Sequence, residues 1–296
     1  MNQKKWLEEN TSSLAGKTVA LTGSTGGLGK ELCRYLAYLG ASLILVDRNP
    51  ERSRKHRDEI NEAYPDTEVK CITADLENMD SVRSAAVQLL SEPVDIFIHN
   101  AGAYAIERHT CDDGLDNVFQ INFVSPYYMI KTLLPLLRQR GGRFVIVGSI
   151  AHNYSKADPK DIDFSGRKRA SLVYGNAKRY LMFSLVRLFR NETAASLSIT
   201  HPGITFTNIT AHYPKVVFAV IKYPMKVIFM KPSKACLSIL RGIFEPCHGS
   251  EWIGPAIFGI WGAPKKSALS TCKDNESEFI FRCAEDIYRR LTGKAE

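Results

Sequence analysis

From Lys17 onward, short runs of apolar and β-branched residues alternate with longer segments of helical pattern. The runs predict strands at residues 18–21, 43–46, 69–73, 94–98, 143–147 and 197–200. Within them the residues are nearly all apolar rather than alternating with polar ones, which is typical of strands covered on both faces. This arrangement predicts an α/β fold, with a doubly wound parallel sheet and helices on both sides of it.

The length of 296 residues suits one large α/β domain or two small ones. No internal repeat or linker-like stretch interrupts the alternation, so a single domain is predicted at 16–265. An N-terminal extension is expected at 1–15 and a helical tail at 266–296. After Pro202 the alternation becomes irregular, and residues 204–232 are expected to form a lid over the substrate.

A formal net charge of +8 requires an anionic partner to be considered. The basic residues are mostly dispersed, and no helix-turn-helix, zinc-finger or RNP-type pattern is present, so no nucleic-acid partner is expected. Two local basic clusters, at 48–57 and 167–169, are compatible with a phosphorylated cofactor or with solvated loops.

The seven cysteines are scattered and lack any metal-ligand spacing, which indicates free thiols in a reducing compartment and no bound metal. The first nine residues carry charge where a signal peptide needs an apolar core. No apolar stretch is long enough to span a bilayer. A cytoplasmic location is therefore expected.

A glycine-rich stretch follows the first predicted strand and opens a helix. This context is typical of a dinucleotide-binding loop, because glycines permit close backbone approach and the helix N-terminus attracts a pyrophosphate. The residues expected to contact a dinucleotide here are Thr22, Gly23, Ser24, Thr25, Gly27, Leu28 and Gly29.

An acidic residue, Asp47, ends the second predicted strand 18 positions beyond Gly29. At that spacing a carboxylate can hydrogen-bond the adenosine ribose and repel a 2′-phosphate, which favours NAD(H). The adjacent Arg48 can instead bind that phosphate, so NADP(H) remains the alternative. Asp47 can also be a turn residue before Asn49-Pro50.

Tyr174 and Lys178 are four residues apart on a helix predicted at 172–190, so they share one face. Carbonyl reduction needs a proton donor, and a phenol with a pKa of about 10 needs a nearby cation to act as a base at neutral pH. Lys178 is expected to lower the pKa of Tyr174. Ser149 follows a strand and is expected at the carboxyl edge of the sheet, where it can hydrogen-bond the reacting oxygen.

In this order, the motifs resemble the short-chain dehydrogenase/reductase family over residues 16–264. The resemblance is carried by Thr22-Gly23-x-x-x-Gly27-x-Gly29, Asn100-Ala101-Gly102, Ser149, Tyr174-x-x-x-Lys178 and Pro202-Gly203. Within the family, the sequences at 149–152, 161–164 and 201–207 resemble the retinol-dehydrogenase and protochlorophyllide-reductase-like branch. The resemblance implies a Rossmann fold and NAD(P)-dependent chemistry.

The resemblance also implies roles for individual residues. Tyr174 would be the acid/base, Lys178 would bind the nicotinamide ribose, and Asn122 would support a water chain that relays protons to Lys178. Pro126, four residues after Asn122, predicts a kink in the helical stretch at 114–139. Further cofactor contacts are implied for Asp75, Leu76, Asn100, Ala101, Gly102, Pro202, Gly203, Ile204 and Thr207.

The predicted activity interconverts an alcohol and a ketone or aldehyde on a bulky lipophilic substrate such as a steroid, a retinoid or a long-chain alcohol. An apolar pocket is expected from Trp252, Ile257, Phe258, Ile260 and Trp261. The alternatives are a carbon–carbon double-bond reductase, which can reuse the same Tyr and Lys, and a catalytically silent dinucleotide-binding scaffold or sensor. A nucleic-acid or membrane adaptor driven by charge is a weaker alternative.

The segment 213–232 carries lysines at 215, 222 and 226 that would share one face of a helix, beside aromatic and aliphatic residues. It is expected to be a lid that closes over an apolar pocket, and peripheral contact with anionic lipid is the sharper hypothesis. Homo-oligomers are implied by the family resemblance alone, with the helical stretches at 114–139 and 172–190 as candidate interfaces.

Overall fold

The computed structural model describes residues 3–204, 230–247 and 249–293. At the centre of the protein is an eight-stranded sheet with the order β3-β2-β1-β4-β5-β6-β7-β8. The strands are β1 (Thr18–Thr22), β2 (Ser42–Asp47), β3 (Val69–Thr73), β4 (Val94–His99), β5 (Arg143–Val147), β6 (Ser196–Thr200), β7 (Glu251–Ile257) and β8 (Trp261–Ala268). Neighbouring strands from β3 to β7 are parallel, and β8 pairs antiparallel with β7. The predicted α/β fold is confirmed.

Helices cover both faces of the sheet. They are α1 (Gln3–Asn10), α2 (Gly27–Tyr38), α3 (Pro50–Ala63), α4 (Met79–Leu90), α5 (Asn117–Phe119), α6 (Ser125–Gln139), α7 (Ala170–Leu188), α8 (Pro232–Phe244) and α9 (Asp274–Thr292). One apolar core joins α2, α3 and α8 to the sheet through residues such as Leu32, Ile60 and Leu237. The second core, with α4, α6, α7 and α9, includes Leu133 and Leu181. The sheet is therefore doubly wound.

All six predicted strands form, and each observed boundary lies within one residue of the predicted one. The central strands β1, β2 and β4 are buried almost throughout, because helices cover them on both sides. At the sheet edge, β3 mixes buried and exposed positions.

The helical stretch predicted at 114–139 is divided into three parts. Its first helical residue is Asn117, because the Asp116 side chain accepts hydrogen bonds from the backbone N–H groups of Val118 and Phe119 and caps the helix there. A π-helical turn follows at Gln120–Val124, and only then does α6 begin. Pro126 has no N–H to donate to the preceding turn, which accounts for the predicted disturbance at this point.

The C-terminal part of the chain completes the second core. Strand β8 extends to Ala268, three residues past the boundary expected at 265, and α9 buries Ile280, Ala284 and Ile287. The carboxylate of Glu285 in α9 accepts a hydrogen bond from the Tyr127 hydroxyl (2.6 Å). Consequently α9 covers part of the surface of α6 and α7, the helices that the family resemblance offered as an oligomer interface.

Residues 205–229 lie outside the described part of the chain. Most of the lid expected at 204–232, most of the basic segment at 213–232, and Thr207 therefore lie outside the described residues. Across the described ranges, no helix combines the length and hydropathy needed to cross a membrane. The same ranges contain no group of three or more His, Cys, Asp or Glu side chains arranged to bind a metal.

Candidate active site

A cavity of about 860 Å³ opens at the carboxyl edge of the sheet, where β1 and β4 meet. In an open parallel sheet this is the point at which the strand order reverses, and ligands bind in the crevice formed there. The predicted site residues that line the cavity are Thr22, Gly23, Thr25, Gly27, Leu28, Gly29, Asp47, Arg48, Asp75, Leu76, Asn100, Ala101, Gly102, Ser149, Tyr174, Lys178, Pro202, Gly203 and Ile204. Ser24 and Asn122 are fully buried behind it.

The glycine loop leaves the N-terminus of α2 open to the cavity. Gly26 precedes α2 and has no side chain with which to cap its N–H groups. Gly23 adopts a φ of +70°, and a Cβ there would lie 2.9 Å from the Cα of Ala101. A pyrophosphate fits this geometry, since free N–H groups and the positive end of a helix dipole face the cavity without intervening side chains.

Gly29 is the position in this loop that tolerates a side chain least. A Cβ there would lie 2.1 Å from the carbonyl oxygen of Gly23 and 2.8 Å from the Cα of Ser24. We expect Gly29→Ala to lower the free energy of unfolding by about 2 kcal/mol or more, because backbone must move. The matched control is Gly26→Ala, whose Cβ would make only an ordinary 3.5 Å contact. Urea unfolding of both variants tests this, and equal stabilities would contradict it.

Thr22 and Asn100 tie the glycine loop to the end of β4. The Thr22 hydroxyl accepts hydrogen bonds from the backbone N–H groups of Asn100 and Ala101, both at 3.1 Å. In return, the Asn100 side chain donates to the carbonyl oxygens of Thr22 (3.1 Å) and Gly23 (3.0 Å). These two residues shape the loop through their own hydrogen bonds.

Asp47 is turned toward the glycine loop. Its side chain is buried, and the carboxylate accepts hydrogen bonds from the hydroxyls of Ser24 and Ser53 and from the N–H and hydroxyl of Thr25. The adjacent Arg48 is mostly exposed and lies 3.7 Å from Glu77. Asp47 thus lines the cavity with a carboxylate already engaged by internal donors.

Ser149 and Tyr174 meet at the other end of the cavity. The Ser149 hydroxyl lies close enough to the phenol of Tyr174 to act on its pKa. Ser149 also begins a 3₁₀ turn, Ile150–Tyr154, where its hydroxyl accepts from the N–H of Ala151 (3.2 Å). The Tyr174 ring packs edge-on against Tyr104, with 5.3 Å between centroids.

The pKa of the Tyr174 phenol is raised to about 12 by burial, which outweighs the lowering effect of the Ser149 hydrogen bond. The net shift is upward, opposite in direction to the lowering that was expected from Lys178. The Lys178 ammonium lies 5.7 Å from the Tyr174 ring centroid and donates instead to the carbonyl oxygen of Val147 (3.1 Å). Burial also lowers the pKa of Lys178 itself, to about 8.

Asn122 lies within the π-helical turn and its side chain is directed at the chain after β4. The amide donates to the carbonyl oxygens of Ala103 (2.9 Å) and Val118 (2.8 Å), and its oxygen accepts from the N–H of Ala103 (3.2 Å). A Cβ on Gly102 would lie 2.8 Å from that oxygen and 3.5 Å from the Lys178 ammonium. Glycine at this position therefore lets Asn122 and Lys178 approach the same backbone.

The sequence-based interpretation missed several cavity-lining residues. At the end near Tyr174 these are Tyr104, Ile106, Ile150, Tyr154 and Ser171. Tyr104 and Ile106 lie in the irregular segment after β4, where no motif singled them out. Ile150 and Tyr154 lie in the 3₁₀ turn after Ser149, and Ser171 lies in the first turn of α7. Arg52 also lines the cavity, and the basic cluster at 48–57 was the signal for it.

The aromatic residues expected to form an apolar pocket after 251 lie elsewhere in the described structure. Trp252 stacks on the ring of His201, with 5.4 Å between centroids, and His201 in turn lines the cavity. Burial lowers the pKa of His201 to about 4, so its ring is neutral at pH 7. Ile257 is half exposed and Phe258 is 86% exposed.

Comparisons with known proteins bear on the family of the chain. Residues 17–159 match the short chain dehydrogenase family model. Over 222 residues, 69% of each chain, the protein is 30% identical to the short-chain dehydrogenase TIC 32 A, chloroplastic, of Brassica napus. The chain belongs to the short-chain dehydrogenase/reductase family. It is an NAD(P)-dependent oxidoreductase of this family, as the motifs predicted.

Two further comparisons concern the branch and the fold of this short-chain dehydrogenase/reductase. It is 27% identical to human retinol dehydrogenase 13 over 207 residues, which are 68% of this chain and 62% of the relative, and the expected retinol-dehydrogenase-like branch is confirmed. The crystal structure of an uncharacterised protein from Mycobacterium paratuberculosis has the same fold, with a TM-score of 0.72 at 22% identity and 97% of each chain covered.

Proposed function

We propose that this short-chain dehydrogenase/reductase interconverts an alcohol and its ketone or aldehyde on a bulky lipophilic substrate. The observation that carries the proposal is the placement of Ser149 and Tyr174 together in the lining of the cavity, where Ser149 acts on the pKa of Tyr174. Apolar and aromatic side chains surround that pair, among them Tyr104, Ile106 and Ile150. The name of the related human retinol dehydrogenase supports a lipophilic substrate.

The residues at the other end of the cavity fit the coenzyme of the family. The glycine loop and the N-terminus of α2 would bind the pyrophosphate, and Asp75 and Leu76 would contact the adenine. Lys178 would bind the nicotinamide ribose, and Pro202, Gly203 and Ile204 would lie beside the nicotinamide. When bound, the nicotinamide supplies or accepts the hydride.

Tyr174 is suited to donate a proton. With a pKa of about 12 its hydroxyl is protonated at neutral pH, so it gives its proton to the carbonyl oxygen as negative charge develops there. Ser149 donates a hydrogen bond to the same oxygen and fixes its position. The nearby Lys178 ammonium stabilises that charge, and Asn122 shapes the backbone beside Lys178. This arrangement favours carbonyl reduction at neutral pH.

We propose further that NADP(H) is the preferred coenzyme, although the sequence spacing alone favoured NAD(H). The carboxylate of Asp47, the expected ribose acceptor, is occupied by Ser24, Thr25 and Ser53. Two guanidinium groups, those of Arg48 and Arg52, line the same part of the cavity. Exposed ion pairs contribute little free energy, so the contact with Glu77 leaves Arg48 available to bind a 2′-phosphate.

We expect Arg48→Ala to weaken NADPH binding about tenfold, through loss of a charge-assisted hydrogen bond, and to change NADH binding less than about twofold. Fluorescence titration of the purified protein with each coenzyme measures both constants. Arg57→Ala is the matched control, since Arg57 belongs to the same basic cluster but pairs with Asp58 and lies off the cavity. Tighter NADH binding by the unaltered protein would contradict the proposed preference.

A substrate panel tests the lipophilic class directly. Retinal, a steroid ketone and a long-chain aldehyde are expected to have higher kcat/KM than sugars or hydroxy-acid-derived ketones, because the cavity end near Tyr174 offers apolar contacts. Turnover confined to the polar compounds would overturn the substrate class while leaving the oxidoreductase assignment intact.

A further inference from the structure

A buried ion pair joins the C-terminal helix to the catalytic helix behind the cavity. Arg179 directly follows Lys178 in α7, so its side chain points to a different face of the helix, and it is only 1% exposed. Its guanidinium donates two hydrogen bonds, both at 2.7 Å, to the two carboxylate oxygens of Glu276 in α9. Arg179 does not line the cavity, and its charge is therefore not directed at the coenzyme.

The same guanidinium also contacts the turn that begins at Ser149. It donates to the carbonyl oxygen of His152, at 3.1 Å, and to that of Thr271, at 2.9 Å. The carboxylate of Glu276 in turn accepts a hydrogen bond from the N–H of Ala157, at 2.9 Å. The segment after Ser149 is thus anchored to the ion pair at two points.

His152 continues this network to Ser149 itself. One ring nitrogen, Nδ1, lies 2.6 Å from the Ser149 carbonyl oxygen and must donate, because a carbonyl can only accept. The other, Nε2, then accepts from the hydroxyl of Thr271 at 2.9 Å. Burial lowers the pKa of His152, which agrees with this neutral tautomer.

Resting on the proposed function, we propose that Arg179, Glu276, His152 and Thr271 form a positioning network that fixes the Ser149 hydroxyl against Tyr174. The turn Ile150–Tyr154 is a single short 3₁₀ segment, which has few hydrogen bonds of its own to define its position. In some systems, buried ion pairs specify one arrangement of the chain more than they stabilise the fold. The C-terminal segment thereby completes the active site from behind.

The experiment compares two variants, each of which weakens an ion pair between the same two helices. Glu276→Gln removes the charge that anchors Arg179. Asp274→Asn removes the charge beside Arg187, whose guanidinium donates to Asp274 at 2.6 Å and does not touch the Ser149 turn. We expect Glu276→Gln to lower kcat about tenfold or more, because small displacements of reacting groups are costly, with NADPH affinity within about twofold. Asp274→Asn is expected to match the unaltered enzyme.

A second variant and a spectroscopic measurement separate positioning from a general loss of structure. Thr271→Val removes only the hydroxyl that orients His152, and is expected to lower kcat in the same direction. In both variants Tyr174 is titrated by its ultraviolet absorbance, taken as the difference from the same protein carrying Tyr174→Phe. This titration is expected to move to higher pH, because a hydrogen bond from Ser149 stabilises the phenolate.

The outcomes distinguish this inference from the proposed function. If Ser149→Ala and Tyr174→Phe lose turnover while Glu276→Gln and Thr271→Val keep the kcat and the Tyr174 titration of the unaltered enzyme, the positioning network is refuted. If Ser149→Ala and Tyr174→Phe themselves keep full turnover, the proposed function fails first. The inference is supported if both network variants lose kcat and titrate Tyr174 at a higher pH, while Asp274→Asn keeps the kcat and the Tyr174 titration of the unaltered enzyme.

Discussion

Lys178→Met is expected to make the protein more stable at pH 7 by about 2 kcal/mol and to abolish most of its turnover. Lys178 is 2% exposed, and none of the ion pairs found among the described residues includes it. Burial lowers its pKa from 10.5 to about 8, a shift that corresponds to about 3 kcal/mol of destabilisation of the charged form. Methionine fills a similar volume but loses the hydrogen bond to Val147, worth about 1 kcal/mol.

The sign of the pH dependence follows from the same shift. Between pH 8 and 10.5 the unfolded chain retains a proton on Lys178 that the folded protein has released. The stability of the unaltered protein therefore rises with pH across this window relative to the variant. Urea unfolding of both proteins at pH 7 and pH 10 measures the difference, with the exposed Lys160→Met as control. The account would be contradicted if the variant were less stable than the unaltered protein at pH 7, or if the difference in stability were the same at pH 7 and pH 10.

Tyr174→Phe is expected to lower kcat for carbonyl reduction by about 10²- to 10⁴-fold, the usual contribution of a general acid. Phenylalanine keeps the ring contact with Tyr104, so coenzyme affinity is expected to stay within about twofold. Steady-state kinetics and a coenzyme titration on the same preparation measure both quantities.

The matched control for Tyr174→Phe is Tyr180→Phe, on the same helix. Tyr180 is fully buried in the second apolar core, where its ring packs against Phe119 at 5.1 Å, and it does not line the cavity. Its removal is expected to leave kcat unchanged. Product formation by Tyr174→Phe at the rate of the control would show that another group donates the proton.

The fold could be predicted because the parallel strands are buried on both faces and leave continuous apolar runs in the sequence. The hairpin of β7 and β8 escaped prediction, since Pro255, Gly262 and Pro264 break the apolar pattern within it. The start of α5 was also misplaced, because it depends on capping by Asp116 rather than on apolar periodicity.

Which residues gather at the candidate site followed from motif order, but their electrostatics did not. The spacing of Asp47 cannot tell whether its carboxylate faces a ribose or the hydroxyls of Ser24 and Ser53, since side-chain orientation decides this. Similarly, a separation of four residues predicted that Tyr174 and Lys178 share one face of a helix, but it did not predict how deeply they are buried. Burial is what moves both pKa values, and only the packed structure supplies it.

Transfer of deuterium from NADPH labelled at C4 of the nicotinamide tests the central claim most directly. Lipophilic carbonyl compounds, including an α,β-unsaturated ketone, would be incubated with the purified enzyme, and mass spectrometry of the product would locate the label. We expect deuterium on the carbon that bears the new hydroxyl, with transfer lost in Tyr174→Phe. Label on the carbon of the former double bond, or no transfer while the coenzyme binds saturably, would contradict the account.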